Sequence, residues 1–199
     1  MSLKSVMVLG ASVVALLFTT SCATNIHLSK LSNPPPSEAF NKFTSYVVEP
    51  VTLAPAYANN DANKKALVKI QEQFSAHIVP ALTAWNQEGA SREGERRTLV
   101  ITPVIKEIKF IGGAARVLVG GMAGSSAVLA QVSIIEKESG KTIDTPEFYA
   151  SANAHAGAFA LGATDNLMLN RIAERMAAYI KLNYTAAIGG ETGAVKPDR

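Results

Sequence analysis

"FYASANAHA", residues 148–156, decides the fold. Phe148, Ala150, Ala152, Ala154 and Ala156 fall on one side of a period-2 strand, and Tyr149, Ser151, Asn153 and His155 on the other. A strand face made of alanine leaves room for a close neighbour. The segment that follows supplies one. From Asp165 to about Tyr184 the chain repeats at helical spacing, with Leu169, Ile172, Met176 and Ile180 inward and Arg171, Glu174 and Arg175 outward. Strand and final helix therefore pack face to face.

Working back from there, "VLAQVSIIEKESGKTIDTPEFY" reads as a hairpin. Val128, Ala130, Val132 and Ile134 alternate with Gln131 and Ser133, and Ser139-Gly140 makes the turn. "TLVITPVIKEIKFI", residues 98–111, is a further half-buried strand, with Val100, Val104, Ile108 and Phe110 expected inward and Glu107 and Lys109 outward. Residues 62–87 predict a helix capped by Asp61 or Asn63, with an apolar stripe of Leu67, Ile70, Phe74, Ile78, Ala81 and Trp85. Pro80 is expected to kink or split this helix and Gly89 to end it. "KFTSYVVEPVTLA", residues 42–54, is a first strand interrupted at Pro50. The order is strand, helix, three strands, helix. It predicts an α/β (α+β) two-layer sandwich, a mainly antiparallel four-stranded sheet with two helices on one face. The other face stays open to solvent or a partner.

The amino terminus carries an address. Lys4 is the only charge in the first 21 residues, and an apolar run leads to "FTTSC". A positive start, an apolar core and small residues form an export signal. The run is short and interrupted by Gly and Ser, unlike a membrane span of about 20 apolar residues. Cys22 is the only cysteine, so no disulfide forms within the chain. Phe18-Thr19-Thr20-Ser21-Cys22 resembles the lipobox of bacterial lipoproteins, with Thr19 where Leu is usual. The resemblance implies cleavage between Ser21 and Cys22 and acylation of Cys22, whose lipid binds the bilayer. Asp after the cysteine retains such proteins in the inner membrane of Gram-negative bacteria. Ala23 stands here, which implies the periplasmic face of the outer membrane.

The expected division is a signal at 1–21, a lipidated Cys and proline-containing tether at 22–41, one domain at 42–184 and a disordered tail at 185–199. Three consecutive prolines, 34–36, favour extended chain. Residues 23–38 then reach at most roughly 55 Å, enough for the domain to stand off the membrane.

"ITPVIKEIKF", "GGMAGSSAV", "SGKTIDTPEFYASA" and "NLMLNRIAERMAAYI" carry a second likeness. Through them residues 98–184 resemble the carboxyl-terminal part of a Gram-negative lipoprotein family of unknown function. More distantly, the arrangement is similar to small periplasmic α/β lipoproteins that support envelope machines. The resemblance implies no reaction and no cofactor.

The residues nominate no chemistry of their own. The net charge is +3, part of it Lys4 in the signal, and no basic stripe points to nucleic acid. His27, His77 and His155 have no ligand spacing, so no metal is expected. Gly124-Ser125-Ser126 lacks the second glycine of a nucleophile elbow, and "GGMAGSSA" lacks the lysine of a phosphate loop. Residues 117–135 hold no charge. Among Gly112, Gly113, Gly120, Gly121 and Gly124, the residues Arg116, Val117, Leu118 and Val119 form an expected exposed knuckle for a partner. The expectation is a non-enzymatic lipoprotein, a binding or scaffold module of an envelope complex. The alternatives are a subunit of an export or pore assembly with a membrane-contacting loop at 112–127, and an envelope hydrolase.

Overall fold

The computed structural model describes residues 26, 28, 30–111, 125–152 and 163–195. The chain forms β1 (Ser32–Asn33), β2 (Ser45–Val48), β3 (Thr52–Leu53), α1 (Asp61–Ala90), β4 (Thr98–Lys109), β5 (Ser126–Glu136), β6 (Thr142–Asp144), β7 (Glu147–Ala152), α2 (Ala163–Leu182) and β8 (Gly190–Glu191). This is a two-layer α+β sandwich. The main sheet has six strands where four were expected. They run in four lanes, because each outer lane is broken. β2 and β3 both lie parallel to β4, and β6 and β7 both lie antiparallel to β5. The breaks fall at Pro50 and Pro146, which have no N–H to give a ladder.

β4 and β5 form the long central antiparallel pair. Its register shifts between Ile105 and Glu107, a bulge that reverses the parity of β4. Leu99, Ile101 and Ile105 are buried before it and Ile108 after it. Val100 and Val104, expected inward, therefore lie on the outer face. A single alternation read through a bulge places one half of a strand backwards. On β5, Val128, Ala130, Val132 and Ile134 face the core as expected.

α1 is capped by Asn60 rather than Asp61 or Asn63: the Asn60 Oδ1 accepts from the N–H groups of Ala62 (2.9 Å) and Asn63 (3.2 Å). Asn63 is buried and donates to the Tyr57 carbonyl instead. The helix continues through Pro80 as one element. Pro80 and Ala76 are both exposed, so the carbonyl that loses its N–H partner faces water. Its buried side is Ala66, Ile70, Phe74, Ile78 and Leu82, with Leu67 and Trp85 at the margin. Leu82 takes the place expected of Ala81.

α2 buries Leu169, Ile172, Met176 and Ile180 as expected. It packs on β7, where Phe148, Ala150 and Ala152 are buried. Ala154 and Ala156 lie outside the described residues. Ala152→Leu is expected to destabilise the domain by about 1–3 kcal/mol through overpacking. Urea unfolding checks it, and a wild-type midpoint would place that face in solvent.

The ends of the chain depart most from expectation. Within the expected tether, residues 30–41 are fastened to the domain. β1 pairs with β8, the Ser37 N–H donates to the Ile143 carbonyl at 3.0 Å, and Phe40 is fully buried. The expected tail supplies β8, and Thr192 is fully buried. Its N–H donates to the Leu31 carbonyl (3.0 Å), its hydroxyl to the Lys30 carbonyl (2.6 Å), and its own carbonyl accepts from Tyr149 (2.7 Å). Nor is the outer sheet face bare. Ile26 is buried against Ala127 and Leu129, with Leu28 and Tyr149 packed alongside.

Candidate functional site

Ser21, Cys22, Arg116, Val117, Leu118 and Val119 lie outside the described residues, as do His27 and His155. Of the expected contact loop at 112–127, only Ser125, Ser126 and Ala127 are described. Ser126 and Ala127 are buried at the start of β5, and the Ser126 hydroxyl accepts from the Ile111 N–H at 3.0 Å. His77 is exposed on α1. Among the described residues, no three His, Cys, Asp or Glu side chains are placed to hold a metal ion. No described helix is long and apolar enough to cross a membrane.

A hollow of about 450 Å³ opens where the end of α1 meets β2. Ser45, Tyr46, Asn86, Arg92, Glu95 and Arg96 line it. The Asn86 side chain grips both backbone groups of Tyr46: its Oδ1 accepts from the Tyr46 N–H at 2.7 Å, and its amide donates to the Tyr46 carbonyl at 3.0 Å. The Tyr46 hydroxyl sits 2.9 Å from the carbonyls of both Phe40 and Phe43. Burial pushes its pKa far up, so it stays a neutral donor. Behind it, Trp85 stacks on Tyr184 with ring centroids 4.0 Å apart. Glu88 accepts from the Tyr184 hydroxyl at 2.8 Å and pairs with Arg92, which also donates to the Asn41 carbonyl at 2.6 Å. These polar groups are tied to one another. Glu95 and Arg96 are exposed at the mouth. The inner polar groups of the hollow are engaged in hydrogen bonds within the fold, and its mouth carries exposed charge.

A second cluster centres on Arg97. Its guanidinium reaches Glu38 at 2.9 and 3.0 Å and Glu136 at 2.5 Å, and lies 4.4 Å over the Phe43 ring. The Ser139 hydroxyl donates to Glu136 at 2.5 Å, and Glu138 accepts from the Thr98 N–H at 2.7 Å. The hydrogen bond from Arg97 holds the Glu38 carboxyl below its ordinary value near 4.5. Ser139, then Arg97, lowers Glu136, and the Thr98 N–H lowers Glu138. The cluster pins the entering chain to the end of the sheet.

A carboxyl with a depressed folded pKa contributes stability that is present above its unfolded pKa and lost as pH falls through the folded one. The clamp therefore holds above about pH 4.5 and weakens in acid. Glu38→Gln is expected to lower the melting temperature at pH 7 and to narrow the gap between pH 7 and pH 3. An unchanged gap would contradict this role for Glu38.

Side chains also close the edges of the sheet. Asn86 covers β2, and the Gln71 Oε1 accepts from Val51 between β2 and β3 at 2.6 Å. On the far edge, Asn33 pairs with both backbone groups of Glu147 (2.8 and 2.9 Å), and Arg175 donates to the Tyr149 carbonyl at 2.6 Å. At these positions the edge groups are already hydrogen-bonded, which disfavours an added strand there.

Sequence reasoning missed Arg97 and the strap of Ile26 and Leu28. Arg97 sits in a mixed run with Glu93, Glu95 and Arg96 that reads as a solvated loop. The Ile-His-Leu alternation at 26–28 was the signal for the strap, but two apolar residues are too few to count as a strand.

No family model and no curated protein matches the chain. Among solved structures, a point variant of the PelC dodecamer from Paraburkholderia phytofirmans is similar at 13% identity and TM-score 0.41, over 75% of this chain and 96% of that one. A minor lipoprotein from Acinetobacter baumannii is similar at 13% identity and TM-score 0.31, over 71% of this chain and 95% of that one. At these identities and scores neither likeness decides a chemistry.

Proposed function

We propose that this chain is an acylated envelope protein, anchored through Cys22 at the periplasmic face of the outer membrane, whose domain is a non-catalytic binding module for an envelope complex. The packing of Ile26 close behind Cys22 carries the proposal. Ile26 is already in apolar packing, four residues after Cys22. Ala23 favours the outer membrane. The binding role rests on the hollow beside Tyr46 and on closed sheet edges, which direct a partner to side-chain surfaces such as Glu95 and Arg96. β4 and β5, at 12 and 11 residues, match the length of membrane-crossing strands. Their inward side chains are spent on the core, however, so using them as a pore wall would take the domain apart.

Cys22→Ser is the test. Labelled palmitate is expected in the wild type and absent from the variant, which keeps residues 1–21 as an uncleaved precursor. Label in both proteins, or in neither, would overturn the anchor.

A further inference from the structure

We infer that the strap of Ile26 and Leu28 holds the domain down on the phospholipid surface, outer sheet face towards the lipid and helices away from it. The inference rests on acylation of Cys22 and adds an orientation to it.

The geometry comes from chain length. Were residues 22–41 a free tether, the domain would rotate and stand off at any angle. Instead Ile26 and Leu28 pack on the domain, and the chain from Lys30 is hydrogen-bonded to it. Ile26 is 5% exposed and lies against Ala127 and Leu129, with Leu28 and Tyr149 packed beside it. All these residues lie on the sheet face opposite the helices. Lys30 and Leu31 are then held by Thr192, and β1 by β8. Four residues of extended chain span at most about 14 Å, so the lipid on Cys22 enters the bilayer within that distance of Ile26. The surface that meets the headgroups is the one carrying the strap. Glu72 lies on the exposed side of α1, so a further helix layer of about 10–12 Å stands between it and the bilayer. Membrane association by a docked segment uses the same apolar contact that the fold needs to cover Ala127 and Leu129, and no separate hydrophobic patch is required.

The test uses full-length protein purified from membranes in its acylated form. With Cys22 acylated, an introduced cysteine is the only free thiol. Ser151→Cys places a donor dye beside the strap on the outer face, across from Ala127, and Glu72→Cys places one on the helix layer. Vesicles of phosphatidylethanolamine and phosphatidylglycerol carry the acceptor on their headgroups. Energy transfer is expected to be several-fold stronger from position 151 than from position 72. A flexible Gly/Ser insert of about ten residues between Ala23 and Thr24 is expected to remove that difference without lowering the melting temperature. Ile26→Asn with Leu28→Asn is expected to remove it also. Equal transfer from the two positions in the acylated wild type would overturn the orientation alone. A protein that carries no acyl group at Cys22 would instead overturn the anchor on which it rests.

Discussion

Asn183→Ala is expected to lower stability by about 2–4 kcal/mol, from two or more buried backbone groups left unpaired. Asn183 is fully buried just beyond α2. Its amide donates to the carbonyls of Tyr179 (2.9 Å) and Gly189 (3.1 Å). Its Oδ1 accepts from the N–H groups of Ile188 (2.9 Å) and Gly189 (2.8 Å). One side chain thus satisfies a whole turn and aims the chain back towards β8. Gly189 takes a positive φ of 77° there, and a Cβ on it would lie 2.4 Å from the Asn33 carbonyl oxygen. Alanine keeps the backbone and removes all four bonds. β8 then loses its approach to β1, and Thr192 loses its seat on Tyr149. Urea unfolding and limited proteolysis across 183–195 are the measurements. A wild-type midpoint with unchanged protection would mean that the turn holds without its asparagine.

Gly89→Ala is expected to destabilise by about 3 kcal/mol, at the upper end of overpacking costs. In an ordinary exposed helix the same change would stabilise by roughly 1 kcal/mol, so the sign itself is diagnostic. A Cβ on Gly89 would lie 2.0 Å from the Thr44 carbonyl oxygen and 2.7 Å from its carbon. Those are backbone atoms, and Thr44 cannot retreat easily. Its N–H donates to the Arg97 carbonyl at 2.9 Å, and its hydroxyl accepts from the Arg97 N–H at 3.1 Å. The end of α1 must therefore swing away from β2, opening the hollow beside Tyr46 and parting Asn86 from the edge. Calorimetry on the variant checks the sign, and a raised melting temperature would contradict the close approach.

Gly89 also shows where a sequence becomes hard to read. A glycine near the end of a periodic run suggests a helix stop, yet α1 runs past it to Ala90. The residue is needed for what crosses it, and close approach between distant segments leaves no periodic trace. Elements with sustained periodicity were legible for the opposite reason. The inward residues of α2, the alanine face of β7 and the alternation of β5 each repeat often enough to declare a side. β4 was half legible, because the bulge near Lys106 resets a period that looks unbroken in sequence. The chain ends were illegible. β1 and β8 have two residues each, and their pairing depends on Asn33, Asn183 and Thr192 acting singly. Among the candidate site residues, Tyr46 and Trp85 were readable as strand and helix positions. Their meeting with Tyr184 and Arg92 depends on the tertiary fold alone.

The intact mass of the protein extracted from bacterial membranes tests the central claim most directly. The account predicts a chain that begins at Cys22, lacks residues 1–21 and carries the added mass of its acyl groups on that residue. A chain that retains residues 1–21, or one cut elsewhere with a free thiol at Cys22, would contradict it.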